Sequence, residues 1–365
     1  MINWKKQALG DLLQYTQPSH FIVNNTEYDS EFQTPVLTPG KSFILGYTNE
    51  QEGIYDRLPT IIFDDFTTAF KYVDFPFKVK SSAMKMLNTT SVNFDIKFIY
   101  YLMQTINFQA KEHKRYWISK YSQLQVRIPP LEEQKKIAAI LDAADDYRQK
   151  TKALIDKYDQ LTQSLFLDMF GDPVTNPMGL PTIELGKACE FYSGKAWKKQ
   201  ELGSKGVKLI RISNLHKPNF PYWLYEGNII ERYKVENGDL LFSWAGVQAS
   251  IDVYLYKGDT GMLNQHIYNL KPKTGIEKLF LFQLLQLNLN ALRSSLGGGV
   301  GQFHLKKKDI TSIKVLMPQS SDMQLYLKKV DSLNKQKQQA EASLVKAEEL
   351  FSSLLQRAFK GDLTS

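Results

Sequence analysis

At 365 residues, 43% of them hydrophobic and 23% charged, the chain has a globular balance and more length than one ordinary core takes, so two domains plus connectors are expected. Its single cysteine, Cys189, excludes a disulfide framework and a multi-cysteine zinc site, and no run approaches the ~20 apolar residues that span a bilayer. The net charge of +8 is uneven, at +2 for residues 1–128, −3 for 129–173, +8 for 174–318 and +1 for 319–365, so the excess belongs to a folded surface suited to an extended polyanion.

The opening residues, MINWKKQALGDLLQ, lack the apolar run of a signal peptide, and a cytoplasmic location is expected. Residues 1–128 mix β-rich runs, ILGY (44–47) and TIIFDDF (60–66), with a helical pattern, FDIKFIYYLMQ (94–104). Cations interleaved with polar residues mark its candidate DNA contacts. These are Lys78, Lys80 and Lys85 in FKVKSSAMK, and Lys111, His113, Lys114 and Arg115 in KEHKR.

Residues 129–173 form a long predicted helix. Pro129-Pro130 ahead of Leu131-Glu132-Glu133 set its start, and Gly171 followed by Pro173 its stop. Ile137, Ile140, Ala144, Tyr147, Thr151, Leu154, Tyr158, Leu161 and Leu165 recur at steps of three and four, which predicts a coiled-coil seam.

Residues 174–318 again mix strands, VKLIRIS (207–213) and DLLFSW (239–244), with helical patterns. Lys195, Lys198 and Lys199 follow a Ser-Gly turn, Arg211, Ser213 and Asn214 end a strand, and GGGVGQFHLKKK (297–308) offers Gln302, His304, Lys306, Lys307 and Lys308. Arg211 and Gln302 are candidate base contacts, because both side chains bond base edges bidentately. Trp197, Trp223 and Trp244 are assigned to the core. Residues 319–365 form a second long helix, its seam running through Val330, Leu333, Lys337, Ala340, Leu344, Ala347, Phe351, Leu354 and Ala358. The polar Thr151 and Lys337 are expected to fix register.

The chain is written twice. LQVRIP (124–129) matches IKVLMP (313–318) at an offset of 189, and FDIKFIYYLMQ matches IEKLFLFQLLQ (276–286). IIFDD (61–65) matches LLFSW (240–244), Leu9-Gly10 matches Leu185-Gly186, and Met169-Phe170-Gly171-Asp172 matches Phe359-Lys360-Gly361-Asp362. Their common order points to a tandem duplication. Connectivity makes the two helices antiparallel if they pair within one chain; separate intermolecular coils are the other possibility. The expected fold class is α+β: two mixed, β-rich domains separated by two long helices in an intramolecular antiparallel coiled coil, a pseudo-twofold tandem repeat.

Catalytic signatures are missing. TPGKS (38–42) resembles the end of a phosphate-binding loop, but Pro35 stands where that motif needs glycine. Glu112-His113-Lys114 has nuclease-like spacing without a suitable upstream carboxylate, and IPPL (128–131) lacks the polar first and aromatic last residues of an adenine methyltransferase motif. His20, His113, His216, His266 and His304 show no metal-ligand spacing.

RYWISKYSQLQVRIPPLEEQKKIAAILDAAD (115–145) with LTQSLFLDMFGDP (161–173) resembles the first central conserved region of type I restriction-modification specificity subunits. GVGQFHLKKKDITSIKVLMP (299–318), the second coil and LLQRAFKGDL (354–363) resemble the second. Gln134 departs from the repeat, having no clear partner in SSDMQ (320–324). The resemblance implies that residues 1–128 and 174–318 are target recognition domains, each reading half of a bipartite double-stranded DNA target. It implies that the helices set the spacing and dock methyltransferase subunits, two in number, with restriction subunits joining the full enzyme. S-adenosylmethionine, ATP and magnesium would belong to those partners, and this chain would be non-catalytic, hold no cofactor and contact no membrane. The alternatives are a DNA-modifying enzyme, methyltransferase or nuclease, with duplicated DNA-binding domains, and a scaffold that binds no DNA.

Overall fold

The computed structural model describes residues 4–40, 42–110, 112, 114–217, 219–295 and 303–363. The chain forms two compact units, Met1–Ala153 with Ala340–Ser365, and Leu154–Gln339.

In the first unit the central strand Thr60–Asp64 pairs antiparallel with Met84–Thr89 and Phe70–Val73, and Leu13–Thr16 extends the sheet beyond Met84–Thr89. The apolar run of this strand is buried on both faces. Ile61 and Phe63 enter a core with Phe98, Tyr101 and Leu102 of the helix Ile96–Gln104, while Ile62 enters another with Leu37, Val73 and Met86. Asp95 caps that helix through the Phe98 N–H at 2.7 Å. A smaller sheet joins Ile44–Thr48, Thr34–Leu37 and Lys78–Val79, the last pair parallel.

The second unit repeats the plan. Leu240–Ser243 is its central strand, flanked by Ile267–Pro272 and Asp252–Leu255, with Cys189–Ser193 beyond. Leu240 and Phe242 face the helix Lys278–Ser295, and Leu241 faces the opposite core. Its second sheet has five strands, with Val207–Ile210 parallel to Gly261–Leu263.

Backbone bonds carry the repeat offset. The Leu9 N–H donates to Leu124 O and the Leu185 N–H to Ile313 O; Tyr116 N–H donates to Asp65 O and Leu305 N–H to Trp244 O. Leu124 to Ile313 and Tyr116 to Leu305 are both the 189-residue step seen in the sequence. The structure is thus a mixed α+β tandem repeat.

The long helices span Leu131–Phe170 and Ser320–Lys360. Within the first unit the Arg148 guanidinium lies 4.2 Å from the Phe351 ring centroid, and Lys152 pairs with Glu348 at 3.2 Å. Within the second, Asp159 bonds Lys337 at 2.5 Å and Phe166 packs on Tyr326. In each unit one residue number rises as the other falls, so the pairing is antiparallel and internal to the chain.

The seam of the first helix needs correction. The column Ile137, Ala144, Thr151 and Tyr158 is inward as expected, but its companion is Leu141, Arg148, Ile155 and Thr162. Ile140, Tyr147, Leu154 and Leu161 are 37, 53, 43 and 50% exposed. Two polar residues disguise the true column: Arg148 covers Phe351 with its guanidinium, and Thr162 bonds its own helix at Tyr158 O, 2.9 Å away. Leu165 is half-buried against the second core. In the second helix Val330 and Phe351 are buried, and Leu344 and Leu354 partly so. Thr151 bonds Tyr147 O at 2.7 Å, while Lys337 bonds Asp159 on the other helix.

Candidate nucleic-acid interface

Lysines in the first unit divide by burial. Lys78 sits on a strand facing inward, 2% exposed, its Nζ 2.7 Å from Glu50 Oε2 and 2.6 Å from Glu52 O. Burial pushes the Glu50 carboxyl up, but Lys78 and the backbone N–H groups of Asn24 and Asn25 outweigh it and hold the group below the usual carboxylate range. Lys85 is 1% exposed, 3.2 Å from Asp65 Oδ2 and 4.4 Å above the Tyr15 ring. Lys78 and Lys85 are therefore structural cations, and their assignment as DNA contacts is corrected: both side chains are buried, and a phosphate reaches neither without displacing the carboxylate it already holds.

Lys80 and Arg115 are exposed, with no ion pair among the described residues. Lys114 is spoken for by Glu112. Lys111 and His113 lie outside the described residues. Asp65, which sequence reasoning passed over, organises this region: its Oδ1 accepts the Trp117 N–H at 2.7 Å and its carbonyl the Tyr116 N–H at 2.8 Å.

In the second unit Lys195 pairs with Glu201 and lies 4.5 Å from the Trp197 ring centroid, whereas Lys198 and Lys199 are exposed. Asn214 is buried and structural. Its Oδ1 accepts the Arg211 N–H at 3.2 Å and its Nδ2 donates to Phe220 O at 2.8 Å, so it locks a turn instead of contacting DNA, which corrects its assignment. Ser213 is half-buried in the same short helix. Arg211 donates from Nη2 to Pro221 O at 2.6 Å and stacks 4.2 Å from Trp223, its pKa lowered by burial. Trp223 is 40% exposed and not core, whereas Trp197 is buried and Trp244 stacks on Tyr268.

His304 is exposed on the short strand Phe303–His304, its ring 5.7 Å from His266. Burial, then His304, hold the His266 ring below the usual imidazole range. Lys306, Lys307 and Lys308 follow, all exposed. Gln302 lies outside the described residues. Among the described residues, the exposed candidate cations without ion-pair partners are thus Lys80 and Arg115 in one unit, and Lys198, Lys199 and Lys306 to Lys308 in the other.

Burial pushes the Cys189 thiol up to about 12, and among the described residues no group of three or more His, Cys, Asp or Glu is placed to hold a metal. No helix among them is long and apolar enough to cross a membrane.

A family model described as the type I restriction modification DNA specificity domain matches residues 1–157 and 179–344. The EcoR124I/EcoR124II specificity subunit of Escherichia coli is 43% identical over 166 residues, 44% of this chain and 39% of that protein. The chain thus aligns with about two fifths of that relative. The MjaVIII specificity subunit of Methanocaldococcus jannaschii is 21% identical over 391 aligned positions, 97% of this chain and 92% of that one. Among solved structures, the S subunit of a type I restriction-modification system from M. genitalium has a TM-score of 0.58 at 17% identity, over 98% of this chain and 96% of that one. A chain from a study of complex assembly and conformational transition in the type I R-M system has a TM-score of 0.52 at 15% identity, over 100% and 99%.

Proposed function

The chain belongs to the type I restriction-modification DNA specificity family, and from that premise we propose that it is the non-catalytic subunit through which such an enzyme recognises double-stranded DNA, each unit reading one half of a bipartite target. The observation that carries this reading is the duplicated framework. The same strands and the equivalent backbone bonds recur in the same order in both units, while the exposed side chains on them differ. Two copies of one scaffold with different surfaces suit two different half-sites.

Partnership with methyltransferase subunits, two of them, and with restriction subunits follows from the same premise. The exposed apolar residues Ile140 and Tyr147 in the first unit, and Leu154 and Leu161 in the second, suit docking, since such residues gain by being covered. Leu161 also borders a groove of about 300 Å³ with Leu165, Leu333 and Lys329. S-adenosylmethionine, ATP and magnesium would be held by those partners, in the cytoplasm. Sequencing the methylated bases of a host that expresses the chain with its methyltransferase tests the proposal. Two short specified blocks separated by an unspecified gap are expected, and a motif without two blocks would overturn it.

A further inference from the structure

The two units can be aligned by their hydrogen bonds without reference to side chains. In the first, Phe63 stands opposite Lys85; in the second, Phe242 stands opposite Tyr268. Asp65 and Trp244, two residues further on, are therefore equivalent. Each accepts on its carbonyl oxygen one backbone N–H from a later segment: Tyr116 at 2.8 Å in the first unit, Leu305 at 3.0 Å in the second. Tyr116 and Leu305 are therefore equivalent as well, and so are the residues before them, Arg115 and His304.

What lies beneath this position differs in chemistry but not in role. The first unit has the buried Asp65–Lys85 ion pair, with Asp65 also holding Trp117. The second has Trp244 stacked on Tyr268, ring centroids 5.8 Å apart and planes 27° apart. Both give a stiff base under a segment tied to the end of the central strand. On that base each unit exposes one donor-bearing side chain at the same place. A reader needs its contact residue held rigidly by the scaffold. Two readers of unlike half-sites on one scaffold must differ where they touch bases, and here the framework bonds match while the exposed residue changes.

We propose that Arg115 and His304 occupy one shared reading position and determine specificity, one in each half-site. This rests on the reading that each unit recognises DNA. The Arg115 guanidinium offers paired donors that match guanine O6 and N7 in the major groove. His304, with a ring nitrogen in place of a fork, makes a single hydrogen bond to one base edge, so the half-site read by the second unit lacks the bidentate contact. Lys306 to Lys308 follow His304 and sit where phosphate contacts would hold it in register.

The test uses the full chain assembled with its methyltransferase partner, and starts from the motif that the wild-type complex methylates. R115K keeps the charge and loses the fork. It should relax one base position in one half by about ten-fold in competition binding, while H304A relaxes one position in the other half. Placing 7-deazaguanine at the Arg115 position should weaken wild-type binding by about ten-fold and leave R115A, which has no donor there, unaffected. The inference is overturned if both variants keep the wild-type motif, if both alter the same half, or if R115K weakens every duplex alike, which would make Arg115 a phosphate contact. A wild-type complex that methylates no two-block motif sinks the DNA-reading proposal itself, a result distinct from any of these.

Discussion

Gln134 and Met323 stand 189 residues apart and fill the same place in two copies of one fold. Each donates its backbone N–H to the residue four before it, Pro130 and Gln319, in the first turn of a long helix. The side chains meet opposite surroundings. Gln134, 1% exposed, accepts the Asp95 N–H at 2.9 Å and donates to Pro129 O at 2.9 Å and Asn93 O at 3.3 Å. Met323, 6% exposed, packs into an apolar core. The apparent degeneracy of the second copy is thus a substitution of packing for hydrogen bonding. Q134M should destabilise the first unit by about 1–3 kcal/mol, because it strands the buried Pro129 carbonyl and the partly buried Asp95 N–H. Urea denaturation checks this, and an unchanged midpoint would show that the amide clamp contributes nothing.

The corrected seam makes a second prediction. Leu141 is fully buried and Ile140 is 37% exposed. L141A should cost about 2–5 kcal/mol by leaving a cavity, whereas I140A should cost less than about 1 kcal/mol. Thermal unfolding of the two variants distinguishes them, and equal losses would restore the seam read from the sequence.

That misreading shows what the sequence held and what it hid. The strand-proline repeats were legible because alternation and a terminal proline are local signals, and the second seam because both of its columns are largely apolar. The first seam failed at Arg148, whose stacking on Phe351 exists only once the helices meet. Lys78 and Lys85 failed likewise. Two lysines beside a Ser-Ser turn look solvated until the fold brings Glu50 and Asp65 to them. Arg115 and His304 were visible as polar residues, but their equivalence needed the backbone bonds to Asp65 and Trp244.

The pairing of Glu50 with the buried Lys78 sets a pH dependence. The Glu50 pKa is lowered in the folded protein from its ordinary 4.5. A depressed carboxylate contributes stability that is present above the unfolded pKa and lost as pH falls through the folded one. Stability should therefore decline as pH drops below about 4.5, and E50Q should flatten that part of the acid limb. Acid titration of the unfolding midpoint in both proteins would show it, and superimposable acid limbs would remove Glu50 as a contributor.

Lys78 and Lys80, two residues apart, should separate folding from binding. K78A leaves the partly buried Glu50 carboxylate and the Glu52 carbonyl without their cation, and stranding such groups costs about 1–3 kcal/mol. K80A removes an exposed charge, changes stability by less than about 0.5 kcal/mol, and should weaken binding to all duplexes alike. Denaturation paired with a gel shift on random DNA tests both, and a stable K78A protein with weakened binding would reverse the assignment made from burial.

The run Lys306 to Lys308 gives a test in which the readout is a slope. Each phosphate neutralised by a lysine releases condensed counterions, so the logarithm of the binding constant falls with the logarithm of salt by about 0.9 per contact. Three such contacts account for a slope of about 2.7. All three lysines are exposed, and no ion pair among the described residues diverts them. Replacing them together by alanine should flatten the salt dependence by up to that amount and lower affinity for every sequence, because phosphates carry no base identity. Sequence preference should survive, since His304 and the framework bond between Leu305 and Trp244 remain. A wild-type slope in the triple variant would mean that these lysines face solvent in the complex, and a lost preference with an unchanged slope would mean that they read bases.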